Sequence, residues 1–240
     1  MSNYLKVMSR KRTWTPVAVD KGEFKEGSED TVFRALALRS LELPVKEMLQ
    51  QGLERELPDD PGVITALRSN MADEDKHDRA LGYVVAAHGT NPKYEREAQN
   101  IREAWLRDPS HPILKTAILE RSVFFVLLPM FRFNGDMGLR SVAADISRDE
   151  QTHVAIHAMC AHDLGETTTP ALNRLRRATI AWVMDGLTTH SEDKYLDKDF
   201  WLKSSDSLYS RGKAEGLADT QRARMPAFFE SSNVNLPKYG

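Results

Sequence analysis

A single cysteine, Cys160, stands in a chain of 240 residues, so no intrachain disulfide can form and nothing argues for an oxidising compartment. The N-terminus lacks an apolar signal-peptide core, and a cytoplasmic protein is expected. A strong charge of one sign is lacking too. The formal net charge of -2 offers no electrostatic basis for binding nucleic acid or an anionic membrane. The short basic run Ser9-Arg10-Lys11-Arg12 reads as a solvated N-terminal lead. Ile113 to Phe133 is the most apolar stretch and is long enough to span a bilayer, but Lys115, Glu120, Arg121 and Arg132 within it argue against lipid. There is no Gly-rich phosphate loop, no nucleophile elbow and no strand-like alternation. His153 and His157 form His-x-x-x-His without the glutamate that a zinc protease needs, and His157 has no recognised zinc spacing to Cys160 or His162.

What is present is helix. Hydrophobic residues make up 41% and charged residues 28%, the balance of an ordinary soluble domain large enough to bury a sizeable core. One domain is expected over 1–240, with an irregular segment over 1–28 and a non-periodic tail over 225–240. From Asp30 to about Leu57 the apolar residues Val32, Ala35, Leu38, Val45, Leu49 and Leu53 recur at helical spacing, with a kink or break at Pro44. Further helices are expected from about Gly62 to Ala87, over 93–107, from about Ile113 to Phe133, from Met137 to Leu164, from Pro170 to about Asp185 and roughly from Lys198 to Ala218. The turns between them are marked by Pro58-Asp59-Asp60-Pro61-Gly62, His88-Gly89-Thr90-Asn91-Pro92, Asp108-Pro109-Ser110-His111-Pro112 and Asn134-Gly135-Asp136. The fold class is all-α.

Chemistry-bearing residues recur inside these helices. Glu150 and His153 lie three residues apart, so both fall on one helix face and can grip one metal ion. Glu74 and His77 repeat the unit. Glu42 falls within the apolar arc of Val45, Leu49, Leu38, Ala35 and Leu53, whereas Glu47, the fallback, falls on the polar side. Glu120 sits between Ala117-Ile118-Leu119 and Ser122-Val123-Phe124-Phe125, where an ionised carboxylate alone would cost several kcal/mol. Arg121 points to another face and cannot compensate it, but a dication can. Four carboxylates and two imidazoles on four helices are the ligand set of dinuclear iron or manganese bundles, a ferritin-like four-helix core carrying additional helices. Oxygen and imidazole donors suit iron and manganese better than copper(I) or a thiolate zinc site.

Beyond the ligand set, the residues resemble a known family, the radical-generating small subunit of class I ribonucleotide reductase. Ile146-Ser147-Arg148-Asp149-Glu150-Gln151-Thr152-His153 resembles its Ile-x-Arg-Asp-Glu-x-x-His helix. Glu120-Arg121-Ser122-Val123-Phe124-Phe125 is similar to its glutamate followed by paired aromatics, and Glu74-Asp75-Lys76-His77-Asp78-Arg79 to its Glu-x-x-His-x-Arg. Trp14-Thr15-Pro16-Val17-Ala18-Val19-Asp20 resembles an N-terminal Trp-x-Pro-x-x-x-Asp, and Phe228-Phe229-Glu230 with Tyr239 is similar to the C-terminal segment. The resemblance implies that Glu42, Glu74, His77, Glu120, Glu150 and His153 hold two metal ions, Fe/Fe or Mn/Fe, activated by dioxygen or a reduced oxygen species. It also implies that Asp149 hydrogen-bonds His77 and links it to Trp14 as an electron relay, and that Phe124, Leu128 and Ile146 line a dry pocket. A homodimer paired with a large catalytic subunit is the implied assembly, without nucleic acid or membrane.

The chain departs from the family in places. Leu81 stands where most members have the radical tyrosine, and Tyr83 points elsewhere on the helix. Members without that tyrosine keep the oxidant on a manganese/iron pair and have glutamate as first ligand, as Glu42 would be. Tyr239 stands near the end of the chain, where the family carries a relay tyrosine. Related oxidases have a Val-Tyr crosslink; Val45 is placed for it, but Lys115 occupies the tyrosine position. Two functions compete: a small subunit storing a one-electron oxidant for a partner, and a stand-alone oxidase or oxygenase acting on a hydrophobic small molecule. A non-catalytic metal store or helical interaction module is the third reading.

Overall fold

The computed structural model describes residues 2–211, with the backbone alone at 40–43, 210 and 211. No strand forms among the described residues; a single bridge joins Thr188 to Asp197. The first helix is one the sequence does not announce. α1 (Asn3–Met8) lies in the segment expected to be irregular. The Ser2 side chain caps it by accepting from Tyr4 N at 3.2 Å, and the buried Tyr4 donates its hydroxyl to Asp163 at 2.8 Å. That distant anchor, rather than local propensity, holds so short a helix.

The helix expected over 30–57 is two. α2 (Glu29–Ala37) passes through a 3-10 turn (Leu38–Leu41) into α3 (Glu42–Leu53). The break thus precedes Pro44, which sits in the first turn of α3, where an amide N–H has no intrahelical acceptor to lose. α4 (Val63–His88) ends at Gly89, whose φ of 85° is the left-handed conformation that glycine tolerates. α5 (Pro92–Arg107) is strongly charged but buries Tyr94, Ala98 and Trp105 against the neighbouring helices. Its C-terminal carbonyls explain Lys115. The buried ammonium donates to the carbonyls of Trp105, Leu106 and Asp108 at 3.0, 3.2 and 2.9 Å, so it serves as a helix cap.

The next helix runs as α6 (Pro112–Leu119), a π-helical turn (Glu120–Phe124) and α7 (Phe125–Asn134). Among the described residues no helix is long and apolar enough to cross a membrane. α8 (Met137–Asp163) starts on Asp136, which accepts from Leu139 N at 2.8 Å. α9 (Pro170–Val183) ends in a 3-10 turn (Met184–Gly186), and α10 (Lys198–Arg211) runs to the limit of the described residues. The core is a closed ring of packed helices. α3 packs on α4 and α6, and α8 packs on α4, α6 and α7. The ferritin-like four-helix arrangement expected from the sequence is thereby present, with α1, α5, α9 and α10 outside it. Phe228-Phe229-Glu230, Tyr239 and the tail over 225–240 lie outside the described residues.

Candidate metal centre

Three of the ring's helices send polar side chains into its centre. α4 supplies Glu74 and His77, the π turn supplies Glu120, and α8 supplies Glu150 and His153; all five are fully buried. Ligand-capable atoms of Glu74, Glu120, Glu150 and His153 lie within 4.8 Å of one another. His153 Nδ1 is 3.0 Å from Glu74 Oε1, 3.4 Å from Glu150 Oε1 and 3.7 Å from Glu120 Oε1. His77 Nδ1 is 3.3 Å from Glu150 Oε1 and 3.9 Å from Glu74 Oε2. The two imidazoles stack with centroids 5.5 Å apart, each turning its Nδ1 inward. Five of the six ligands read from the sequence therefore converge. The side chain of the sixth, Glu42, lies outside the described residues; the fallback Glu47 is exposed and pairs with Arg102 at 3.3 Å, away from the cluster.

The outward nitrogens are held in a reciprocal exchange. His77 on α4 meets Asp149 of α8 at 3.2 Å, and His153 on α8 meets Asp73 of α4 at 3.0 Å, both through Nε2. Each helix carries Asp-Glu-x-x-His, and each aspartate orients the other helix's histidine. A carboxylate in this place fixes the tautomer, Nε2–H outward and the Nδ1 lone pair inward. Asp149 Oδ2 also accepts from Trp14 Nε1 at 2.8 Å and Lys76 Nζ at 2.7 Å. Lys76 bridges back to Asp73 at 2.9 Å and lies 4.7 Å from the centroid of the half-buried Trp14 ring. Lys11 completes the layer by pairing with Asp73. Burial would raise both aspartates, but the imidazoles and ammonium groups outweigh it and hold Asp73 and Asp149 below the ordinary carboxylate range. Lys76 is raised, since its two carboxylate partners outweigh its own desolvation.

The donor set fits a pair of hard cations. Glu120 Oε1, both oxygens of Glu150 and the Nδ1 of His153 have no hydrogen bond of normal geometry, although all are buried. Burial disfavours charge on every member. Even so, His153 is raised well above the ordinary histidine range by Glu150, Asp73 and Glu120, and Glu150 is held low by His153 and His77. The pocket selects positive charge to face its carboxylates. Several such anions could not share a dry interior without it. Oxygen and imidazole donors without thiolate suit iron or manganese. Leu81, Phe124, Leu128 and Ile146 are buried, as is Val45.

Besides Lys11, which read as part of a solvated lead and instead pairs with Asp73, sequence reasoning missed three participants. Asp73 was visible as the residue before Glu74, making Asp-Glu-x-x-His repeat at 73–77 and 149–153. Lys76 carried no signal, because its role depends on Trp14 and Asp149 arriving from elsewhere. His157, dismissed as a zinc ligand, is fully buried beside Glu120. The π turn is a fourth surprise. Its wider winding begins at Glu120, as π turns often do at functional positions, and Ser205 of α10 donates to the Ser122 carbonyl within it at 2.7 Å.

Comparison with known proteins yields no matching family model and no matching curated sequence. Among solved structures, a "putative class I ribonucleotide reductase" from Bacillus halodurans matches with a TM-score of 0.53 over 95% of this chain and 97% of that one, at 15% identity. At that identity the likeness establishes architecture: this chain has the all-α, ferritin-like fold, and its buried carboxylate and histidine cluster could hold metal.

Proposed function

We propose that the chain is the small subunit of a class I ribonucleotide reductase, an oxidoreductase component serving deoxyribonucleotide synthesis with a separate large catalytic subunit. One observation carries the reading: an unbroken hydrogen-bonded line from Trp14 Nε1 to Asp149 Oδ2 (2.8 Å) and on to His77 Nε2 (3.2 Å), whose other nitrogen faces the cluster. The Asp149–His77 bond would orient a ligand in any metal enzyme; its extension to Trp14, which Asp73 lacks, suits one that passes an electron to a partner. Glu74, His77, Glu120, Glu150 and His153 would hold an Fe/Fe or Mn/Fe pair, with Glu42 as sixth ligand. That pair, with dioxygen or a reduced oxygen species, supplies a one-electron oxidant.

The protein's own residues do the rest. Asp149 and Asp73 lock both imidazoles with Nδ1 inward. Leu81, one turn after His77 and buried, has nothing to oxidise, so the oxidising equivalent has no side-chain store there, and the metal pair would have to hold it. Phe124, Leu128 and Ile146, all buried, would keep water from it. The Lys76 cation over the indole disfavours a positively charged tryptophan. Electron loss from Trp14 is thus opposed by Lys76 and helped by Asp149, whose anionic Oδ2 accepts the indole N–H. A homodimer, the commonest soluble assembly, is the proposed quaternary state.

The test is aerobic loading with iron and manganese, metal analysis, electron paramagnetic resonance, and turnover with and without a class I catalytic subunit. About two metals per chain, no tyrosyl doublet and ribonucleotide reduction only in the mixture are expected. Trp14→Phe should retain the metals and lose the turnover. A tyrosyl doublet would overturn the metal-centred store. Turnover of an apolar substrate without a partner would replace the reading by a stand-alone oxidase.

A further inference from the structure

His157 has no part in the ligand set read from the sequence, yet it is fully buried, one helical turn beyond His153 on α8. Its Nδ1 lies 2.6 Å from Glu120 Oε2, and its Nε2 lies 3.1 Å from Asn70 Nδ2 on α4. An ionised carboxylate brings no proton to a contact this short, so the imidazole must supply it from Nδ1. The Asn70 amide then donates to the Nε2 lone pair, which keeps the ring in that tautomer. We infer that His157, set by Asn70, is a positioning residue that ties down one oxygen of Glu120 and leaves the other, Oε1, as its single donor to the metal centre.

Both oxygens of Glu120 are placed accordingly. Oε2 is taken by His157, whereas Oε1 is free of hydrogen bonds and stands 3.7 Å from the inward nitrogen of His153. Glu120 begins the π turn, where the helical ladder is wider and the backbone constrains the side chain less. A carboxylate there could rotate or offer both oxygens at once. The His157 contact selects one arrangement. α8 thus steers the π-turn carboxylate as well as supplying its own Glu150 and His153. The inference rests on the reading that this cluster holds cations and is independent of the partner, substrate or relay.

The experiment is a titration of the full chain with Mn2+ alone, read by the loss of the free-ion electron paramagnetic resonance signal, followed by nitrogen couplings of the bound ions. Wild type should take up two ions. His157→Leu, similar in size but without a donor, should weaken one of them by about 10–100-fold. His157→Asn, which keeps an N–H at the δ position, should recover most of that loss. The bound ions should show couplings from two imidazoles in wild type and in His157→Asn. If His157→Leu does not fold, Asn70→Leu, which removes only the partner of Nε2, should weaken the same ion several-fold. His157→Leu binding as tightly as wild type overturns the inference, as does a third imidazole coupling in wild type, which would make His157 a ligand. A wild-type chain that binds no Mn2+ instead refutes the metal centre itself.

Discussion

Replacing Asp73 by asparagine probes the reciprocal layer that the sequence reading overlooked. Asp73 receives His153 Nε2 at 3.0 Å, Lys76 at 2.9 Å and Lys11. Asparagine keeps the shape but removes the charge and one of the acceptor oxygens, so the His153 tautomer is no longer imposed. Losing an outer carboxylate of this kind lowers metal affinity by about 10–100-fold, or about 1.4–2.7 kcal/mol. The loss should fall on one ion, the one His153 serves. Fold stability should suffer less than the about 3 kcal/mol typical of a broken buried pair. Lys76 keeps Asp149 at 2.7 Å, and Lys11 keeps Ser69 Oγ at 2.7 Å and its carbonyl at 3.0 Å. Mn2+ titration gives the affinity, and thermal unfolding of the metal-free chain gives the fold. Asp149→Asn supplies the contrast. It should weaken the other ion similarly and also free Trp14 from its acceptor, which Asp73→Asn leaves intact. If Asp73→Asn binds both ions as tightly as wild type, the aspartate exchange has no bearing on the metal centre and the reasoning fails.

Three further outcomes follow from features away from the cluster. Lys115→Met should cost about 2 kcal/mol, because three helix-end carbonyls lose a charged donor while only one desolvated cation is removed; calorimetry should show the melting temperature falling by several degrees, and an unchanged value would refute the capping role. Burial pushes the Cys160 thiol up to about 12, so no thiolate forms near neutral pH and alkylating reagents should label it only after unfolding. His111 is lowered below its ordinary 6.5, first by burial and then by Arg55, while its Nδ1 caps α6 by accepting from Ile113 N at 3.3 Å. The unfolded chain therefore binds this proton more readily than the folded one, and stability falls as pH drops below 6.5 toward the folded value; His111→Asn should flatten that part of the melting profile, and an equally steep profile would exclude it.

How much of this was legible in advance can be argued residue by residue. The long helices were, because apolar periodicity and punctuation by glycine and proline are local properties; α4, α5 and α8 begin and end within a residue or two of their expected bounds. The two Glu-x-x-His pairs and Glu120 were legible for a different reason: acidic groups at apolar positions contradict their surroundings unless something compensates them. α1 was not, since Tyr4 finds Asp163 only after folding. Nor was the break before Pro44, where the 3-10 turn, rather than the proline, interrupts the helix.

The sequence by itself determined the helical class, the charges destined for the interior, and the repeated spacing that places a glutamate and a histidine on one helix face. Tertiary structure alone decided which aspartate meets which histidine, that Lys76 lies between Trp14 and Asp149, and that His157 turns to Glu120. The physical reason is one of range. Which face a residue occupies follows from a helical period of about 3.6 residues. The partner that face meets depends on how helices far apart in the chain pack, which no local spacing records.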